Sequence, residues 1–113
     1  FKLANGTWVD AGGIRARLLD RSGGRLRDVV VVGADGPAPS VLAWADGPFS
    51  AGDLRLLLDA YNQDNTRPST RILDGALLDP APHGDEIGSK GQLVRAAVLR
   101  RRAALVERLG AAS

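Results

Sequence analysis

The segment of this sequence that most resembles a metal-binding pattern has one histidine beside two carboxylates. The segment PHGDE brings together His83, Asp85 and Glu86. Metal sites usually need three or four ligands, and one histidine beside two adjacent carboxylates in a loop is weak evidence for such a site. We therefore interpret His83 as a solvent-exposed loop residue, and the sequence predicts no metal and no other cofactor.

Nucleophilic and phosphate-binding chemistry have little support. The chain has no cysteine, which excludes thiolate nucleophiles, thiolate metal sites and disulfides. Serines and aspartates are present, but no G-x-S-x-G turn surrounds any of the serines. The segment GADGPAPS follows four valines, yet it matches neither dinucleotide nor P-loop spacing, and its prolines remove backbone donors. The sequence accordingly predicts that the protein is not an enzyme.

Arginines alternate with apolar residues in GGIRARLLD and resume in RLRDVVVV. This period of two predicts two half-buried strands, joined by a three-residue hairpin loop at residues 22–24. In that register the arginines project from one face, which could meet phosphate or carboxylate groups. The alternative, which we favour, is an exposed sheet face partly neutralised by nearby acids. The candidate anion-binding residues are Arg15, Arg17, Arg25 and Arg27.

The most strongly patterned segment is VRAAVLRRRAALVERLG, residues 94–110. Ser89–Gln92 matches an S-x-x-Q capping box and Gly110 stands where a C-terminal glycine belongs, so we expect a helix of about 20 residues. At 100° per residue, its apolar side chains form a narrow stripe bordered by arginines on both sides. The stripe consists of Val94, Val98, Leu105 and Leu109, and its borders of Arg95, Arg101, Arg102 and Arg108.

Three interpretations of this helix are open. The stripe can pack on protein while arginine stems cover its edges and their charged ends stay in water. It can instead lie on an anionic membrane surface, or its arginines can contact nucleic acid phosphates. The first is favoured, because the apolar side chains are small, Trp and Phe are absent from the helix, and no nucleic-acid recognition motif is present. We expect these eight residues to contact another protein or a second copy of the chain.

The remaining patterns supply the scaffold. SVLAW predicts a third strand, and residues 7–9, TWV, a short edge strand. Ser50 and Asp53 form an acidic variant of the capping box in front of an apolar face with helical spacing, so we expect a helix over residues 51–62. Residues 69–78 have weaker helical spacing, and we expect a short helix there despite Gly75. Trp44 is expected in the core.

Length and composition favour one folded domain. The chain has 113 residues, 44% hydrophobic and 25% charged, which are ordinary values for a globular domain. Its two ends are net basic and its middle net acidic, which could orient a charged partner. The abundance of arginine, alanine and glycine indicates a GC-rich bacterial coding sequence. Because the chain opens on Phe1, we expect a processed protein or a piece of a longer one.

These observations predict a small α+β fold. We expect an antiparallel meander of three to four strands, packed by one amphipathic helix and followed by the long C-terminal helix. The predicted divisions are an α+β domain at 1–78, a Pro/Gly-rich linker at 79–88 and the basic helix at 89–113. The predicted function is a non-catalytic interaction or assembly module; the alternative is a binder of anionic lipid or nucleic acid. We expect it in the bacterial cytoplasm or on the cytoplasmic side of a membrane.

Overall fold

The computed structural model describes residues 1–78, 86–89 and 93–111. In this part of the chain, four helices surround a three-stranded sheet, so the predicted α+β class is confirmed. The helix and strand bounds are α1 Ala11–Ser22, β1 Leu26–Val32, β2 Ser40–Ala45, α2 Ala51–Asp64, β3 Gly75–Leu77, α3 Arg95–Arg101 and α4 Ala103–Ala111.

The sheet is covered by helices on both faces. Alternate residues of β1 and β2 enter two separate apolar cores, one shared with α1 and α2 and the other with α3 and α4. The run of four valines is buried throughout, which is typical of a strand packed on both sides. The first core receives Val29, Val31, Val41 and Ala43, and the second receives Val30, Val32, Leu42 and Trp44.

The strands are in the order β1-β2-β3. β1 and β2 are antiparallel, with Val30 opposite Leu42. β3 differs from the predicted meander because it runs parallel to β2, with Leu42 opposite Ala76. A parallel neighbour requires a long crossover, and α2 with the segment after it provides one.

The strand predicted over residues 14–18 is wrong, because this segment is part of helix α1. Asp10 caps the helix by accepting a hydrogen bond from the Gly13 amide at 3.0 Å. Gly23, at φ 63°, ends it in the left-handed conformation that favours glycine. The buried residues Ile14 and Leu18 are four positions apart, which is the spacing of one face of a helix. The alternation of arginines and apolar residues therefore does not reflect a strand. No hairpin at residues 22–24 exists.

The helix predicted over residues 51–62 is confirmed, with two further residues at its end. The capping box is complete: the Asp53 amide donates to Ser50 Oγ at 3.1 Å, and the Ser50 amide donates to Asp53 Oδ2 at 2.8 Å. The predicted apolar face is buried in the first core. That face consists of Leu54, Leu57, Leu58 and Tyr61.

The short helix predicted over residues 69–78 is wrong, because residues 75–77 form strand β3. A Cβ atom at Gly75 would lie 2.8 Å from Leu58 Cδ1 and 2.9 Å from Val41 Cγ2. Glycine is therefore needed here for close packing of the strand beneath α2.

The single C-terminal helix is observed as α3 and α4, which meet at Arg102. Val94 precedes α3 as its N-cap, without a side-chain capping bond. The predicted capping box depends on Gln92, which lies outside the described residues, as does most of the predicted linker. The predicted division of the chain into a domain, a linker and a helix stays a prediction. Within the described residues, no helix has the length and apolar character needed to cross a membrane.

Candidate functional site

The first nine residues form a closed turn that displays a tryptophan. Lys2 and Trp8 pair as an antiparallel bridge, where the sequence predicted an edge strand. The Ala4 amide donates to Gly36 O and the Asp35 amide to Lys2 O, both at 2.8 Å, so the turn is fixed to the loop between β1 and β2. Trp8 is nevertheless 68% exposed, with Lys2 Nζ 4.9 Å from its ring centroid. The turn therefore presents an aromatic side chain beside a cation at the protein surface.

A cavity of about 300 Å³ lies close to this turn, between the loop after β1 and the helices α3 and α4. Arg95 lines the cavity, and its guanidinium carbon lies 5.6 Å from the centroid of the Phe1 ring. Burial lowers the pKa of Arg95 from its ordinary value. The rest of the lining is apolar except for one acid, and comprises Val32, Gly33, Ala34, Leu99, Ala103, Val106 and Glu107.

A second polar cluster surrounds a fully buried carboxylate. Glu86 is 0% exposed, and Arg102 donates to it through Nε at 3.2 Å and Nη2 at 3.3 Å. Arg101 Nε lies 3.8 Å from Oε1 of the same carboxylate. The Val94 amide donates to Glu86 O at 2.8 Å, and Ile87 forms a bridge with Leu93. Glu86 thus joins the start of this connection to Val94 at the beginning of α3 and to Arg102 at the junction of α3 and α4.

Three of the predicted partner-binding residues lie on the sheet side of the C-terminal helices. Val98 and Leu109 are buried in the second core, and Leu105 packs against it half-buried. Of the bordering arginines, two pair with Glu86, Arg95 lies over Phe1, and Arg108 is exposed. Packing of the stripe on protein is therefore intramolecular, while contact of these residues with a partner stays a prediction.

The predicted anion-binding residues do not share one face, because the hairpin on which they depended is absent. Arg15 and Arg17 are on α1, Arg25 follows it, and Arg27 is on β1. Arg15 Nε lies 2.7 Å from Asp28 Oδ1, an ion pair that raises the pKa of Arg15. The guanidinium of Arg25 lies 5.2 Å from the Phe49 ring centroid. Binding of anions by any of the four stays a prediction.

The remaining chemical candidates are placed as follows. Trp44 is fully buried in the second core, as expected. His83 and Asp85 lie outside the described residues. Within the described part of the chain, no group of three or more histidine or acidic residues could hold a metal ion. The sequence pattern did not predict that Glu86 is buried and paired with Arg102. The one sequence feature that could have indicated it is that Glu86 precedes the strongly patterned C-terminal helix.

Two solved structures share this fold. The A domain of carboxylic acid reductase from Segniliparus rugosus, in complex with AMP and a co-purified carboxylic acid, is 17% identical, with a TM-score of 0.76 over 98% of this chain and 19% of that chain. The A-PCP didomain of the same enzyme with AMP is 15% identical, with a TM-score of 0.74 over 96% of this chain and 17% of that one. The chain spans less than a fifth of either. No family model and no curated protein matches it.

These likenesses show the fold, and they correct the predicted function. The prediction of a non-catalytic interaction or assembly module is wrong, because the fold of this chain occurs within the A domain of an enzyme, carboxylic acid reductase. No enzyme motif was found in the sequence. The similarity to these structures is one of fold, at only 15–17% sequence identity.

Proposed function

We propose that this chain is part of an enzyme that activates a carboxylic acid by adenylation. The observation that carries the proposal is the likeness to the A domain of carboxylic acid reductase, which extends over 98% of this chain. In adenylation a carboxylate oxygen attacks the α-phosphorus of ATP. The bond from that phosphorus to the oxygen bridging to the β-phosphorus breaks, so acyl-adenylate forms and diphosphate leaves. Transfer of the acyl group to an acceptor then releases AMP.

The reactants are anionic, so the enzyme needs cations where negative charge develops. In this chain the connection between Ile87 and Leu93 is the strongest candidate for supplying one. Its ends are held by a backbone bridge and by the buried pair of Glu86 and Arg102. The sequence has one cation in this connection, Lys90, which itself lies outside the described residues. The larger part of the site belongs to residues beyond this chain in the proposed enzyme.

The test is carboxylate-dependent diphosphate release from ATP by the full-length protein that contains these residues. A panel of aliphatic and aromatic acids is supplied, and hydroxylamine traps the acyl-adenylate as a hydroxamate. We expect release that depends on at least one acid, and no release by the 113-residue chain alone. Absence of acid-dependent release over the whole panel, from folded full-length protein, would refute the proposal.

A matched pair of variants tests the assignment to the connection. We expect Lys90→Ala to lower the adenylation rate by about 100-fold, the usual cost of removing one group that stabilises transition-state charge. Arg67→Ala removes an exposed cation from the segment after α2 and should leave the rate unchanged. Equal adenylation rates for the two variants would show that a residue other than Lys90 supplies the cation. That result would not contradict the proposal that the enzyme adenylates a carboxylic acid.

A further inference from the structure

The cavity between the loop after β1 and the C-terminal helices has walls suited to an apolar ligand. Val32 is buried, and Leu99 and Val106 are half-buried extensions of the second core. Gly33 also lines the cavity, and because glycine has no side chain it presents only backbone there. The volume of about 300 Å³ is at the lower end of the range for small-molecule sites.

One cation at this cavity lacks an anionic counterpart. Among the described residues, no acid lies within ion-pairing distance of Arg95. The Arg95 side chain as a whole is exposed, and partial burial of its guanidinium lowers its pKa. Its guanidinium contacts the Phe1 ring and has no acid beside it among the described residues, and a carboxylate matches the planar guanidinium through two parallel hydrogen bonds. An anionic ligand group beside Arg95 would therefore be stabilised.

The single acid in the lining restricts the class of ligand. Glu107 lines the same cavity but forms no ion pair with Arg95. Its negative charge disfavours a ligand that carries a second anionic group away from Arg95. The combination of one cation, one separate acid and apolar walls selects a molecule with one anionic end and an uncharged body.

We propose that this cavity binds a monocarboxylic acid with an apolar body, whose carboxylate pairs with Arg95 and whose body contacts Val32, Leu99 and Val106. The ligand class follows from the cavity alone. The site is distinct from the adenylation proposed above, because binding needs neither ATP nor residues beyond this chain. Its failure would leave that function untouched, and failure of adenylation would leave this site untouched.

The test is titration of the 113-residue chain with octanoate below its micelle-forming concentration, followed by calorimetry and by amide chemical shifts. We expect shifts centred on the loop at residues 33–34 and on α3 and α4. Arg95→Ala should weaken octanoate binding at least tenfold, since a hydrogen-bonded charge is lost. Octanol, which has the same body without the charge, should bind the wild-type chain at least tenfold more weakly than octanoate.

Two further variants separate the cavity from the charge. Ala103→Phe fills the cavity from an exposed helix position and should abolish binding of both octanoate and octanol. Arg71→Ala removes an exposed arginine elsewhere and should bind octanoate like wild type. Thermal unfolding verifies that each variant is folded. Octanoate binding that is unchanged in Arg95→Ala, undetectable in the wild type, or mapped away from the cavity would overturn the proposal.

Discussion

The guanidinium of Arg102 donates two hydrogen bonds to the buried carboxylate of Glu86, across the junction of α3 and α4. The pair joins the start of the final connection to the point where the helical chain breaks. Because Glu86 is 0% exposed, its charge depends on nearby cations for compensation. The second such cation, Arg101, is farther away at 3.8 Å.

Arg102→Ala is expected to destabilise the protein, because it removes the two hydrogen bonds that Arg102 donates to the buried carboxylate of Glu86. Removal of one partner from a buried pair costs about 3–5 kcal/mol, and cations that stay near Glu86, such as Arg101, should keep the loss near or below the lower figure. Urea unfolding followed by circular dichroism measures it. Arg108→Ala, an exposed arginine on α4, serves as the control and should change stability by less than about 0.5 kcal/mol. Equal stability of the two variants would show that Glu86 does not depend on Arg102.

Asp53 is expected to contribute a pH-dependent part of the stability. Hydrogen bonds from the backbone and the side chain of Ser50 hold the pKa of Asp53 below its ordinary value of 3.8. A lowered pKa in the folded state means that this stability is present above about pH 3.8 and is lost as the pH falls through the folded-state pKa.

Asp53→Asn keeps the shape and an acceptor oxygen but removes the charge. Its stability deficit relative to wild type should therefore shrink as the pH is lowered from 6 to 3, in unfolding curves collected at each pH. Asp20→Asn, at an exposed position of α1, controls for the change in net charge. A deficit that is constant over this range would contradict a charge-dependent capping box.

The sequence predicts elements well where a local signal agrees with the buried face. In α2 the capping residues and the apolar spacing indicate the same helix, and strand β2 is apolar after its first residue, Ser40. In α1 the local signals conflict. Ile14, Ala16 and Leu18 alternate as in a strand, and Gly23 fits both a hairpin loop and a helix C-terminus. The helix is favoured because it places both Ile14 and Leu18 in the first core. These are tertiary contacts, which the local sequence pattern does not specify.

The candidate sites depend still more on tertiary contacts. The helical wheel identifies Arg95 as a border of the apolar stripe, but its cavity is completed by Val32 and Gly33, more than 60 positions earlier in the chain. In the same way, the sequence groups Arg102 with its helical neighbours, whereas its hydrogen-bonding partner Glu86 precedes the helix. Helical periodicity specifies which side chains share a face, and it contains no information on what that face contacts.

Gly75→Ala is expected to destabilise the protein although alanine suits most backbones. The added methyl group would lie 2.8 Å from Leu58 Cδ1 and 2.9 Å from Val41 Cγ2, and both side chains are enclosed in the first core. Overpacking of a filled core costs about 1–3 kcal/mol, which urea unfolding can measure. The control is Gly52→Ala on α2, where an added Cβ atom has only ordinary contacts and should be neutral or stabilising. Gly47→Ala is not suitable as a control, because Gly47 has φ 93°, a conformation that alanine rarely adopts. If Leu58→Ala in the same chain makes Gly75→Ala less costly, the contact between β3 and α2 is the cause; additive effects of the two substitutions would exclude it.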